Sequence, residues 1–189
     1  MSPVGILLAA GRAERFGGDK LLARATSTSE LTLGEAACRQ LVAALSDVIA
    51  VVRLDDDPLA ARLTAAGARV IRCANAHDGM GASLACGVRA TRDALGWVIA
   101  LADMPWVRPA TITAVAAAIQ SGAAVAAPFY RGERGHPVGF GAACGDALTA
   151  LTGDAGARSV LMAHRRDMLH IEVDDDGVLR DVDTPADLG

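Results

Sequence analysis

The stretch VGILLAAGRAERFGGDKLL, residues 4–22, joins an apolar run to a loop rich in glycine and basic residues. Val4–Leu8 reads as a buried strand, since an apolar run this short and continuous suits a sheet covered on both faces. In the loop, glycines let backbone N–H groups approach oxyanions, and Arg15 and Lys20 add positive charge. Two familiar phosphate loops do not fit. A Walker A loop needs Ser or Thr after its lysine, and Leu21 stands there; a dinucleotide fingerprint needs a glycine spacing that Gly11, Gly17 and Gly18 do not have. A polar turn with no ligand is the plain alternative at this point.

The same grammar continues outward. Apolar runs at Val48–Val52, Arg69–Arg72, Trp97–Ala102, Ala123–Ala127 and Leu169–Val173 read as strands, and helical patterns lie between most of them. Thr32 and Glu35 form a capping-box pattern, Asp57-Pro58 places a cap before a proline, and Thr184-Pro185 repeats that logic. Residues 79–95 read as a glycine-rich turn entering a helix, and 108–119 as a further helix. Strands alternating with helices predict a single-domain, three-layer α/β/α fold with a mostly parallel, doubly wound sheet. Ligands of such sheets bind outside the carboxyl ends of the strands.

Composition sets bounds. The 189 residues suffice for one sizeable core and one domain, 1–189. Net charge of −4 supplies no basic field for nucleic acid, and no apolar run approaches the length of a membrane span. The short N-terminal run lacks a basic flank, so it is not read as a signal peptide. Four scattered cysteines show no metal-binding or nucleophile spacing, and a reduced, cytoplasmic chain is expected.

Strand ends then supply the candidates. Asp103 follows the apolar run 97–102 and is suited either to a divalent cation or to capping the next turn. Asp181 and Asp183 alternate along an extended stretch and share a face; a solvated turn is the competing reading. Residues 174–177, DDDG, read as a hairpin turn. His136, in YRGERGHPVGF (130–140), reads as an acid–base or anion contact, or as a structural hydrogen-bonding residue. His77, His164 and His170 show no partners at useful spacing. Arg158 is a candidate anion contact.

Leu8-Ala9-Ala10-Gly11 followed by Arg15, Gly17 and Lys20 resembles the signature loop of nucleotidyltransferases with a GT-A-like fold. Residues 75–88, 101–105, 135–140, 153–158 and 181–188 extend that resemblance, in order, to the branch of molybdenum cofactor cytidylyltransferases and their guanylyltransferase relatives. Phe16 replaces the usual Met, and residues 23–31 lack the family's compact glycine turn. The resemblance implies catalytic roles for Lys20, Arg15 and Asp103. It implies that Leu8, Ala9, Ala10, Gly11, Arg15 and Lys20 grip the triphosphate, and that Asn75, Gly79, Met80, Gly81 and Ser83 lie near base and ribose. Mg2+ would be held by Asp103 and Asp183, with Asp181 in reserve. Gly135, His136, Pro137 and Arg158 would face the acceptor.

The implied reaction is CMP transfer from CTP to the terminal phosphate of molybdopterin, with release of pyrophosphate. The Ala-Ala-Gly pattern favours CTP, since the Ala10 methyl would crowd a purine, a bias of about 1–3 kcal/mol. A molybdenum hydroxylase would receive the product. GTP, or a sugar phosphate as acceptor, keeps the chemistry with other substrates, and a non-enzymatic module that delivers a cofactor is the third reading.

Overall fold

The computed structural model describes residues 2–11, 16, 19–26 and 28–188. Eight strands form one mixed sheet: β1 (Val4–Leu8), β2 (Val48–Arg53), β3 (Arg69–Cys73), β4 (Gly96–Leu101), β5 (Val125–Tyr130), β6 (Glu133–Arg134), β7 (Val138–Gly141) and β8 (Leu169–Glu172). Their order is β3-β2-β1-β4-β7-β5-β6, and β8 pairs with β5. The segment β3-β2-β1-β4 is parallel, β7 runs antiparallel to both β4 and β5, and β8 is parallel to β5.

Helices cover both faces. On one side lie α1 (Leu33–Ala44), α2 (Asp57–Ala65) and α4 (Pro109–Gln120), which pack Leu41, Leu63 and Val115 against Leu7, Ala50 and Val98 of the sheet. On the other lie α3 (Met80–Ala90), α5 (Gly145–Thr149) and α6 (Arg158–Ala163), with Leu84, Leu148 and Val160 against Ile6, Ile49, Trp97 and Phe140. Successive residues of β1 therefore serve different cores: Ile6 and Leu7 are each 0% exposed, as the period-2 geometry of a strand requires.

Local chemistry sets most of the boundaries. Thr32 and Glu35 make both bonds of the capping box that starts α1. Helix α2 is capped by Asp56 rather than Asp57: the Asp56 carboxylate accepts from Leu59 N at 3.3 Å, while Asp57 pairs with Arg72 at 2.5 Å. Strand β5 begins at Val125, later than the expected Ala123, because Ala123 N–H donates to Ala118 O and closes the end of α4. Thr184 forms a capping box with Asp187 at a single 3-10 turn, Pro185–Asp187.

Segment 174–177 is not a hairpin turn. Asp175, 2% exposed, accepts from Arg108 N at 2.9 Å, Thr111 Oγ1 at 2.6 Å and Gly177 N at 3.2 Å. It thus caps a 3-10 turn, Asp176–Leu179, and staples the chain beyond β8 to the start of α4. The packing is close: a Cβ on Gly177 would stand 2.3 Å from Trp106 O. No helix among the described residues is long and apolar enough to cross a membrane.

Candidate functional site

The loop after β1 emerges between the carboxyl ends of β2 and β4. Ala9 N donates to Val51 O at 2.9 Å, and Ala102 N donates to Leu8 O at 3.1 Å. Lys20 opens the 3-10 turn Lys20–Leu22, which packs on α1, and its ammonium reaches back to the sheet edge. There Nζ lies 2.8 Å from Asp103 Oδ2 and 3.7 Å from Asp183 Oδ1. Lys20 is 11% exposed, Asp103 25% and Asp183 49%. Three charges far apart in sequence thus meet at one point on the carboxyl edge.

Backbone pairing holds the two carboxylates in register. Val182 N donates to Asp103 O at 3.0 Å, so the segment carrying Asp181 and Asp183 lies alongside the end of β4. Val182 is 0% exposed, and the aspartates on either side of it are exposed. Asp183 is the one drawn beside Lys20 and Asp103; Asp181 acts electrostatically on His136 instead. The Asp103 carboxylate bonds Lys20, and no bond from it to the following turn occurs among the described residues. Two carboxylate oxygens that already share one cation are a hard donor set of the kind Mg2+ or Mn2+ accepts. No group of three or more His, Cys, Asp or Glu side chains suited to a metal occurs among the described residues.

Around this centre the implied binding residues sort by exposure. Gly11 is exposed and nothing lies within 4 Å of where its Cβ would be, while Ala9 and Ala10 are 2% and 4% exposed. Little of the Ala10 methyl is left to meet a base, which removes the steric argument against a purine. Arg15 and Gly17 lie outside the described residues. Across the edge, Asn75 is exposed and accepts from Cys73 Sγ at 3.3 Å, and Met80 is 46% exposed. Ser83 is placed differently from a ribose contact: it is 4% exposed and its hydroxyl donates to Gly79 O.

Gly79 and Gly81 have a packing role. Gly81 N donates to Gly153 O at 2.7 Å, and Cβ atoms on Gly79 and Gly81 would stand 2.3 Å from Asp154 Oδ1 and 2.7 Å from Thr152 O. Gly79 also has φ of 115°, a conformation that glycine adopts at little cost. The start of α3 and the 152–157 loop are therefore locked together.

The acceptor-facing set divides. Gly135 and Pro137 are buried, and a Cβ on Gly135 would stand 2.5 Å from Val178 O. His136 lines a small, water-sized space with Gln40, Leu101 and Pro137, and its Nδ1 is buried with no hydrogen-bond partner among the described residues. Burial, with Arg134 nearby, pushes its pKa down to about 4, against a smaller opposite pull from Asp181. Arg158, in contrast, is exposed and lines an open cavity.

One arrangement had no signal in sequence spacing. Cys144 Sγ lies 3.8 Å from His164 Nε2, and His164 Nδ1 lies 3.1 Å from Asp167 Oδ2. It has the order of a nucleophilic triad but not the chemistry. Cys144 is 2% exposed, burial raises its pKa, and its thiol donates to Ala124 O. His77 sits 3.3 Å from Asp78, and His170 stacks on Phe129.

The sequence pattern of the MobA-like NTP transferase domain matches residues 5–168. The purine catabolism protein PucB of Bacillus subtilis (strain 168) is 29% identical over 198 residues, spanning 97% of this chain and 93% of its own. Among solved structures, Rv0371c from Mycobacterium tuberculosis H37Rv superposes with a TM-score of 0.77 at 26% identity, over 99% of this chain and 96% of that one. That protein has also been solved in complex with manganese. A nucleotidyl transferase from Methanothermobacter thermautotroptrophicus superposes with a TM-score of 0.81 at 24% identity, over 98% and 94% of the two chains.

Proposed function

The chain belongs to the MobA-like NTP transferase domain family and is a nucleotidyltransferase; from that premise we propose that it transfers CMP from CTP to the terminal phosphate of molybdopterin. An oxygen of the acceptor phosphate attacks the α-phosphorus. The bond from that phosphorus to the bridging oxygen breaks, and its electron pair leaves with pyrophosphate. No protein nucleophile is required, because the acceptor phosphate is already ionised near neutral pH.

The observation that carries this reading is the meeting of Lys20, Asp103 and Asp183 at the carboxyl edge, with Nζ 2.8 and 3.7 Å from the two carboxylates. Asp103 and Asp183 would hold a divalent cation, Mg2+ in this reading, and Asp181 stands in reserve. The manganese complex of the Mycobacterium tuberculosis relative supports a divalent ion. Such an ion, when bound, neutralises charge on phosphate oxygens. Lys20 is held where its ammonium can leave the carboxylates for the triphosphate, and a point charge on a flexible stem suits that exchange. Backbone N–H groups from Ala9 to Gly11, with Arg15, would cradle the phosphates. Asn75 and Met80 stand exposed where the base and ribose would lie.

The Ala-Ala-Gly pattern supports CTP through the family resemblance alone and not through the bulk of the Ala10 methyl. A GTP-dependent reading keeps its place because Ala10, at 4% exposure, offers little methyl surface to exclude a purine. The product would pass to a molybdenum hydroxylase. The deciding experiment is a pyrophosphate-release assay with CTP, GTP, ATP and UTP, each with and without molybdopterin. Release from CTP that depends on molybdopterin is expected, together with its loss in Asp103→Ala. Full turnover by Asp103→Ala removes the metal role from that residue, and a clear preference for GTP overturns the choice of nucleotide.

A further inference from the structure

A cavity of about 360 Å3 opens on the α3–α6 side of the sheet, beneath α6, at the far end of the edge from β3. Three arginines converge on it: Arg134 from β6, and Arg158 and Arg165 from α6 and the turn after it. All three are exposed, and none makes a side-chain hydrogen bond or ion pair among the described residues. Unpaired guanidinium groups also occur singly elsewhere among the described residues, at Arg39 and Arg166, while Arg72 pairs with Asp57 and Arg92 with Asp146; what marks Arg134, Arg158 and Arg165 is that they line one cavity together. Glu172, opposite Phe129 in the strand ladder, pairs with none of the three. Guanidinium groups left without carboxylates around one concavity are a site for an anion.

The floor is flat and apolar. Phe129 and His170 stack with ring centroids 4.0 Å apart and planes 17° from parallel, and Met162, 60% exposed, forms part of the wall. His170 is exposed, which leaves a ring edge or face open to a third planar group. Sheet register places the cavity relative to the reaction centre. Trp97, Phe140 and Val125 occupy one row across β4, β7 and β5. Four residues further along, Leu101 and Phe129 share a level, separated by two strand spacings, or about 10 Å. Asp103 follows Leu101 by two residues. Arg158, in the lining, directly follows the 152–157 loop, which is bonded to the start of α3.

We propose that this cavity binds the body of the acceptor, and that the acceptor is a flat ring system whose own anionic groups are held by Arg134, Arg158 and Arg165 while its phosphate reaches toward Lys20. This inference rests on the nucleotidyl-transfer reading for the word acceptor; the ligand class rests on the cavity alone.

Naphthalene-2,6-dicarboxylate, a flat fluorescent dianion without phosphate, is the probe. Adipate carries the same charge without a ring, and 2-naphthol carries a ring without fixed charge. Fluorescence and calorimetric titrations should show the dicarboxylate binding wild-type protein about tenfold or more tightly than either comparator. The Arg158→Ala/Arg165→Ala double variant should lose about tenfold in affinity, and Arg72→Ala should lose none. Binding unchanged in the double variant, or adipate binding as tightly as the dicarboxylate, overturns the proposal. A second readout separates it from the reaction itself. With a productive nucleotide and acceptor, the double variant should raise the acceptor KM and leave the nucleotide KM unchanged. Turnover with an unaltered acceptor KM sinks the cavity and leaves the reaction standing. Arginine-dependent binding of the dicarboxylate, with no pyrophosphate release from any substrate pair, does the reverse.

Discussion

Lys20 gives up more solvent than a lysine usually does, and only because two carboxylates receive it. Replacing it with Met should separate two roles. Transfer should fall by about a hundredfold or more, since charge at the phosphates is lost. Mn2+ should bind the nucleotide-free Lys20→Met protein more tightly than wild type, because a competing cation has been removed; electron paramagnetic resonance titration of free Mn2+ checks this. His136 makes a separate prediction. Its pKa in the fold is about 4, below the unfolded value of about 6.5. The unfolded chain therefore binds more protons than the native one between those values. The stability contributed by neutral His136 is complete above about pH 6.5 and is lost as pH falls toward 4, amounting to about 2–3 kcal/mol. Urea titrations at neutral and acidic pH should show that His136→Gln removes this part of the acid sensitivity. The facing charges, Arg134 and Asp181, should be left in place for that comparison.

At the scale of elements, the reaction centre is built by segments that have no sequence proximity. Asp103 ends β4, and Asp183 follows a stretch held by Asp175 against the start of α4. Asp175→Ala would leave Arg108 N and Thr111 Oγ1 without their acceptor in a buried place, at a cost of about 2–3 kcal/mol. Because the same staple aligns Val182 with Asp103, this variant should also weaken metal binding; thermal melts and Mn2+ titration are the two measurements. Capping signals were legible in the sequence because they act over three or four residues: Thr32 and Glu35 are the clear instance. Asp175 was not legible. Its place within DDDG suggests a hairpin turn, and only partners 64 and 67 positions away make it a buried cap.

Across the whole molecule, one sheet separates two apolar clusters, and β1 contributes adjacent residues to both. Ile6→Ala and Leu7→Ala should each cost about 2–5 kcal/mol. Both should shift one common transition in denaturant, measured by circular dichroism and tryptophan fluorescence, because the shared strand couples the two cores. Two separated transitions would show that the cores unfold independently.

The sequence by itself determined the α/β class, the runs of strands β1–β5 and β8 to within a few residues, and the candidates Lys20, Asp103 and Asp183. Those signals are local: apolar period, capping spacing, and a polar residue at the end of a buried run. The antiparallel insertion of β7 between β4 and β5, the contact of Asp183 with Lys20, the inward turn of His136 and the arginine-lined cavity were decided by tertiary structure. Each depends on which distant backbone supplies the neighbouring hydrogen bonds, and that is a property of the closed sheet.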